Sequence, residues 1–422
     1  MVRSTVLRFA SVSCAWVMLS SSGCVAPSRD AREDDVASTA EAVAGSGGFG
    51  WALVSPTAVV DATSAYSTAF DSISGVMIAP TATHPATGLF TVTFGGLGAS
   101  WAGSNGGNVQ VAAVGANPDR CQVVGWSPIS TRAPSGYTTA SITTTIACND
   151  VTGARADSGF SVFFQRGYGA PTAGTTAGSA YAWIDVATAT IPEGASATAP
   201  AGYQWSSLGA VSSSIGSQIV VRHQNVGVYD VKVPGLVNMW NGVARATGYG
   251  TTSGYCTAGY AEPSGDGSYQ DVYVFCFNTH GLPLDAAFSF RWDEDSLPTA
   301  LAGGRGAYNV SDFLAPLSAP QSTSFWSYDA QAPSPVNGSV SESYHPTTGL
   351  YFEAFGGYDT THTMPLVGGN VAWVSDGGYC KAVGDFVSGS RPSATLFVKV
   401  NCYGATGILH DTSTATLVLS MP

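Results

Sequence analysis

The sequence predicts an all-β protein: three tandem antiparallel β-sandwich domains with one disulfide each. Three observations carry this expectation. The chain repeats itself with fixed offsets, its apolar residues alternate with period two, and six of its cysteines fall two to a copy. Composition frames the reading. Hydrophobic residues at 45% and aromatics at 11% supply large cores and exclude wholesale disorder, while charged residues reach only 10%. The 422 residues call for several domains. A formal net charge of −12 offers no basic surface to displace counterions from phosphates, so nucleic acid is not an expected partner.

Residues 1–23 read as a signal peptide. Arg3 and Arg8 form a positive start, Phe9 to Leu19 a mostly apolar stretch, and Ser20 to Gly23 a small-residue end. The apolar stretch is too short to span a bilayer, and no later run of about 18 apolar residues offers a membrane helix. Ser21-Ser22-Gly23-Cys24 resembles the lipobox of bacterial lipoproteins, which implies diacylglyceryl transfer to Cys24. Ser21 departs from the aliphatic residue usual there, and secretion with Cys24 left in a tail is the alternative. Residues 24–48 are rich in Ala, Ser, Asp and Glu and cannot bury enough surface to fold, so they read as a flexible tether, or as a propeptide.

The repeat occupies the rest of the chain. Cys148, Gly153 and Asp157 stand at offsets 0, +5 and +9, as do Cys276, Gly281 and Asp285, and Cys402, Gly407 and Asp411. Upstream, His84…Gly88-Leu89-Phe90, His223…Gly227-Val228-Tyr229 and His345…Gly349-Leu350-Tyr351 share a second spacing. Taking Trp51, Trp183 and Trp326 as the start of each copy places the sandwiches at 49–166, 180–295 and 322–422. Linkers then fall at 167–179 and 296–321. On that alignment the third copy is shortened near its start. Phe90, Val92 and Phe94 alternate with threonines, and Tyr229, Val231 and Val233 alternate with Asp230 and Lys232. Such alternation gives one buried and one solvated face. Glu353 occupies the place of Val92 and Val231, so either its strand slips register or a carboxylate faces inward with a partner.

Cys121–Cys148, Cys256–Cys276 and Cys380–Cys402 read as local disulfides, because an exported protein meets an oxidising compartment. Zinc would need a Cys-x-x-Cys knuckle or more thiols per copy, and the sequence has neither. His84, His223 and His345 are candidate binding residues; the structural reading has each fixing a hairpin through a nearby carbonyl. Asp157, Asp285 and Asp411 read as turn residues bonding their own backbone. Asp293-Glu294-Asp295 reads as a solvated charged corner rather than a calcium loop. Trp51, Trp183 and Trp326, with Trp101, Trp126, Trp205, Trp240 and Trp373, offer either core packing or sugar-stacking platforms.

Tyr181-Ala182-Trp183, Gly227-Val228-Tyr229-Asp230-Val231, Gly107-Asn108-Val109-Gln110-Val111 and the cysteine pairs resemble exported multi-repeat β-sandwich proteins of unknown function from GC-rich bacteria. The resemblance spans most of residues 49–422 and implies a fold without an activity. No Gly-x-Ser-x-Gly, His-Glu-x-x-His or phosphate-cradling motif is present, so a non-enzyme without cofactor or metal is expected. The expected work is recognition or adhesion toward a surface glycan or protein, at the cell envelope or outside the cell, with membrane contact only through the lipid anchor. A polymer hydrolase with accessory binding domains and a structural spacer are the alternatives.

Overall fold

The computed structural model describes residues 48–61, 67–71, 77–97, 106–132, 138–167, 178–207, 218–237, 242–294, 305–311, 324–329, 341–356, 366–370, 377–388, 395–412 and 414–420. The expected signal peptide, Cys24 and nearly all of the tether lie outside them, as do Trp101, Trp240 and Trp373.

Stretches rich in Val, Thr, Phe and Tyr form the strands, as residues that fit a pleated, half-buried surface should. The first sandwich holds β1 (Gly48–Val54), β2 (Ser67–Asp71), β3 (Met77–Ile78), β4 (Thr81–Ala86), β5 (Leu89–Phe94), β6 (Asn108–Val114), β7 (Arg120–Arg132), β8 (Thr138–Asn149) and β9 (Gly159–Arg166). Its sheets run β3-β2-β1-β9-β6 and β4-β5-β8-β7. The second holds β10 (Gly178–Ile184), the one-turn helix α1 (Val186–Ala189), β11 (Ser196–Thr198), β12 (Gln204–Ser206), β13 (Val220–Asn225), β14 (Val228–Pro234), β15 (Gly242–Gly248), β16 (Tyr255–Pro263), β17 (Tyr269–Phe277) and β18 (Phe288–Glu294). Its sheets run β12-β10-β18-β15 and β11-β13-β14-β17-β16. The third holds β19 (Arg305–Ser311), β20 (Ser324–Asp329), β21 (Ser341–Thr347), β22 (Leu350–Gly356), β23 (Leu366–Asn370), β24 (Tyr379–Ser388), β25 (Thr395–Tyr403) and β26 (Thr414–Ser420), ordered β20-β19-β26-β23 and β21-β22-β25-β24.

The alternating residues meet between the sheets. Phe90, Val92 and Phe94 share a core with Phe160, Val162 and Phe164, and Tyr229, Val231 and Val233 with Phe288, Phe290 and Trp292. Fully burying a side chain of this size contributes about 1.5–3 kcal/mol. In the third sandwich Tyr351 opposes Val400, just as Tyr229 opposes Val274 and Phe90 opposes Ile146, so the strand of Glu353 keeps register. The buried Glu353 carboxylate accepts from the Thr414 hydroxyl and the Asn309 amide.

The third sandwich begins earlier than expected. β19 lies inside the stretch 296–321 that reads as a linker, and it pairs with β26 along its length. Val54, Ile184 and Ser311 oppose Phe160, Phe288 and Thr414, so Tyr308 stands where Trp51 and Tyr181 stand. Trp183 is therefore not the counterpart of Trp51, and Trp326 lies on β20 opposite Tyr308. The third sandwich is therefore not shortened at its start: Trp326 belongs to its second strand, and Tyr308 to its first.

Each disulfide joins directly opposed residues on neighbouring strands, with Cα atoms 4.0 Å apart in all three cases. The second cysteine of each pair turns its N–H away, toward Gly88, Gly227 or Gly349. These are thus the closer, non-hydrogen-bonded pairs of an antiparallel ladder, within reach of a disulfide.

The sandwiches also pack on one another. β6, β15 and β23, the same strand in each, meet pairwise. The face of β9 opposite its core is buried: Phe163 lies 4.6 Å from the Arg291 guanidinium and 5.7 Å from that of Arg245. Asn108 donates to Ser289 Oγ at 2.7 Å and to Phe290 O at 2.9 Å. Asp293 is fully buried in the same interface, paired with Arg245 at 3.2 Å and with Arg291, and accepting from Ser179 Oγ at 2.6 Å. This overturns the solvated corner expected there, because the second sandwich presents that face to the first. Glu294 is likewise buried, and Asp295 lies outside the described residues.

The contacts follow a three-fold pattern. Gly250 N–H donates to Val123 O at 2.8 Å, from the second sandwich to the first. Gly115 N–H donates to Ala382 O at 3.0 Å, from the first to the third. Gly115 and Gly250 follow equivalent strands, and Val123 and Ala382 each lie two residues beyond their cysteine. At the centre, Tyr255 donates to Gly377 O, and Tyr379 donates to Pro118 O at 2.5 Å. The third place in that ring is Arg120. Its guanidinium lies 4.3 Å from the Tyr255 ring centre and 4.8 Å from that of Tyr379. Its Nη2 donates to Val151 O, Thr279 O and Ala405 O at 3.5, 3.4 and 3.0 Å. Those carbonyls lie three residues after the second cysteine of each sandwich. The glycines at +5 close the same turns at φ of 88, 76 and 78°, and a Cβ on Gly153 would stand 2.6 Å from Thr279 Cγ2.

Candidate functional site

The recurring histidines and aspartates, read separately from sequence, pair with each other. His84 Nε2 lies 2.8 Å from Asp157 Oδ1, His223 Nε2 3.0 Å from Asp285 Oδ1, and His345 Nε2 2.9 Å from Asp411 Oδ1. The same oxygen accepts the N–H of Gly88 at 2.6 Å, of Gly227 at 2.6 Å and of Gly349 at 2.5 Å. Each imidazole also stacks on the aromatic six residues on: Phe90, Tyr229 or Tyr351. The glycine is the second residue of a two-residue hairpin loop at φ of 63 to 68°. A Cβ on Gly227 would stand 2.5 Å from Cys276 O and 2.7 Å from Leu284 N. Left-handed backbone and lack of space both demand glycine there.

These aspartates therefore serve a partner across the sheet instead of their own turn. Among the described residues, only His223 also makes the carbonyl contact expected of a hairpin-fixing histidine, from Nδ1 to Ile191 O at 2.6 Å. In the second and third corners a tyrosine hydroxyl closes the ring. Tyr229 OH accepts from Ala286 N–H and Tyr351 OH from Thr412 N–H, each at 3.1 Å. Burial pushes both phenols well above their ordinary range. With its carboxylate engaged by a backbone N–H and its imidazole covered by a ring, this is a clamp joining hairpin, disulfide strand and final strand. Among the described residues, no group of three His, Cys, Asp or Glu could hold a metal ion.

A different constellation faces outward. Trp126 of β7 and Trp183 of β10 meet edge to face with ring centres 6.3 Å apart. Tyr203 lies 4.7 Å from Trp183 and 6.3 Å from Trp126, and Tyr249 lies 5.2 and 5.5 Å from them. All four rings are half-buried, and they line the junction of the first two sandwiches. Burial, with Tyr203 beside it, raises the Tyr249 phenol. Trp126 Nε1 donates to Gly106 O at 3.4 Å, while the buried Nε1–H of Trp183 meets no acceptor among the described residues. Such rings combine a large apolar face with a polar tip.

Of the tryptophans expected to bind, Trp183 thus belongs to the cluster. Trp51 is fully buried and stacked on Phe49 at 5.8 Å, and the side chain of Trp326 lies outside the described residues. Tyr203 and Tyr249 escape a repeat-based reading because neither holds a repeated position; Tyr249 stands where the first sandwich has Val114. The three disulfides are consistent with an extracellular or exported protein. Among the described residues no helix is long and apolar enough to cross a membrane. Clamp and aromatic cluster are features read from this chain itself: no protein-family model, no curated protein and no solved structure matches it.

Proposed function

We propose that the chain is an exported, non-enzymatic recognition protein of the cell envelope that binds a glycan at the aromatic cluster between its first two sandwiches. One observation carries the reading: four half-buried Trp and Tyr rings, drawn from two sandwiches, gather at one junction. Rings of this kind offer apolar faces on which the apolar faces of sugars stack. Lipidation of Cys24 would hold the protein at the membrane, supported by Ser21-Ser22-Gly23-Cys24 after a charged and apolar start. The hydrolase alternative draws no support from the His–Asp pairs, whose carboxylates are committed to a glycine N–H.

A glycan array followed by tryptophan fluorescence titration tests the cluster. Saturable binding should weaken at least about tenfold in Trp126→Ala and in Tyr203→Ala, with the melting temperature of each variant reported alongside. Absence of any saturable glycan would overturn the reading in favour of a structural spacer, which the interlocked packing of the three sandwiches suits. Detergent partitioning of wild type and Cys24→Ser tests the anchor: both variants soluble and equally processed would remove it.

A further inference from the structure

The centre of the three-fold pattern encloses a cavity of about 30 Å³, lined in part by Asp119, Arg120, Thr247, Tyr255, Tyr379 and Lys381. That is room for one or two water-sized occupants. Two of the chain's 16 basic residues line it, both buried: Arg120 is 7% exposed and Lys381 2%. Arg120 uses Nη2 on the three carbonyls, but its buried Nε and Nη1 meet no acceptor among the described residues. Among the described residues, the hydrogen bond of Lys381 Nζ is a long one, 3.4 Å to Asp119 O. Asp119 supplies one negative charge against two positive ones. Burial outweighs its attraction and lowers the Lys381 ammonium to about 8. Buried guanidinium N–H groups and an ammonium without good acceptors are costly unless something fills the space between them.

We propose that this cavity is a binding site for one small monovalent inorganic anion of chloride size, held between the Arg120 guanidinium and the Lys381 ammonium at the junction of all three sandwiches. The anion balances the second positive charge and accepts from the donors left over. It binds the assembled junction and not the unfolded chain, so it stabilises the fold by mass action.

The test uses the whole exported chain. At constant ionic strength, replacing sodium gluconate by sodium chloride should raise the melting temperature saturably, by about 2 °C or more. Crystals soaked in sodium bromide should show an anomalous peak in the cavity. Lys381→Gln should lose both effects, and Arg120→Gln serves if that variant does not fold. Equal melting temperatures in chloride and gluconate, with only water in the cavity of bromide-soaked wild-type crystals, would overturn the proposal. That result would leave the aromatic cluster untouched, since glycan binding is read at a different place.

Discussion

The His–Asp corners and the junction at the centre are both built from repeated positions, yet they follow different rules. Each corner is closed within one sandwich, and it recurs three times with the same partners and distances within 0.2 Å. At the centre, position by position, two tyrosines and one arginine meet. A contact within one sandwich can be copied unchanged, because its surroundings are copied with it. A contact on an axis cannot, because three copies of one side chain would compete for the same space. Repetition therefore marks what holds a sandwich together, and departure from it marks where sandwiches meet.

The largest expected effect lies in a corner. Gly227→Ala would drive a Cβ into Cys276 O and Leu284 N, both backbone, and should cost about 3–5 kcal/mol in urea denaturation. A loss below about 1 kcal/mol would mean the hairpin can move freely. Next comes the disulfide. Opening Cys380–Cys402, which closes a separation of 22 residues, by a double Ser substitution should cost about 3 kcal/mol.

The centre should respond to shape more than to charge count. Arg120→Met, which abandons the three carbonyls and both tyrosine faces, should cost about 2–3 kcal/mol. Arg120→Tyr should cost more, because a third phenol would compete with Tyr255 and Tyr379 for the same space; the reverse order would break the three-fold comparison. Among the corners, Asp285→Ala should cost about 2 kcal/mol and Asp157→Ala about 1 kcal/mol, since Asp157 is 41% exposed and Asp285 27%. Equal losses in thermal melts would show that exposure does not grade the clamp.

The smallest effect is in pH. Lys381 binds its proton less tightly folded, at about 8, than unfolded, near its ordinary 10.5. Between those values the unfolded chain holds more protons, so stability rises with pH. In gluconate the gain of wild type over Lys381→Met should be about 1 kcal/mol from pH 7 to pH 9. A flat difference would mean Lys381 is already fully compensated.

Much of this architecture is legible in the sequence, because repetition converts packing into spacing. The offsets of Cys148, Gly153 and Asp157 register a disulfide, a left-handed turn at the centre and a clamp. Alternation around Phe90 and Tyr229 shows which side chains enter the cores. The pairing of His with Asp stays hidden because 73, 62 and 66 residues separate the partners, and only strand order brings them together. The start of the third sandwich is obscured because Tyr308 replaces the tryptophan of Trp51, while Trp326 offers a more conspicuous match one strand later. In the sequence Arg120 is only a cation where two copies carry Tyr before their first cysteine. Its meaning depends on three sandwiches converging, which no single copy encodes.

That lone arginine bears on how such an assembly could arise. Three identical subunits would each bring the same residue to the axis, so a homotrimer would have to seat three guanidinium groups or three phenols there. Joining the copies in one polypeptide removes that constraint and lets a single cation serve all three turns. It also makes assembly unimolecular, so the ring closes at any dilution. The covalent link between sandwiches thus permits asymmetry at the place where a symmetric oligomer could have none.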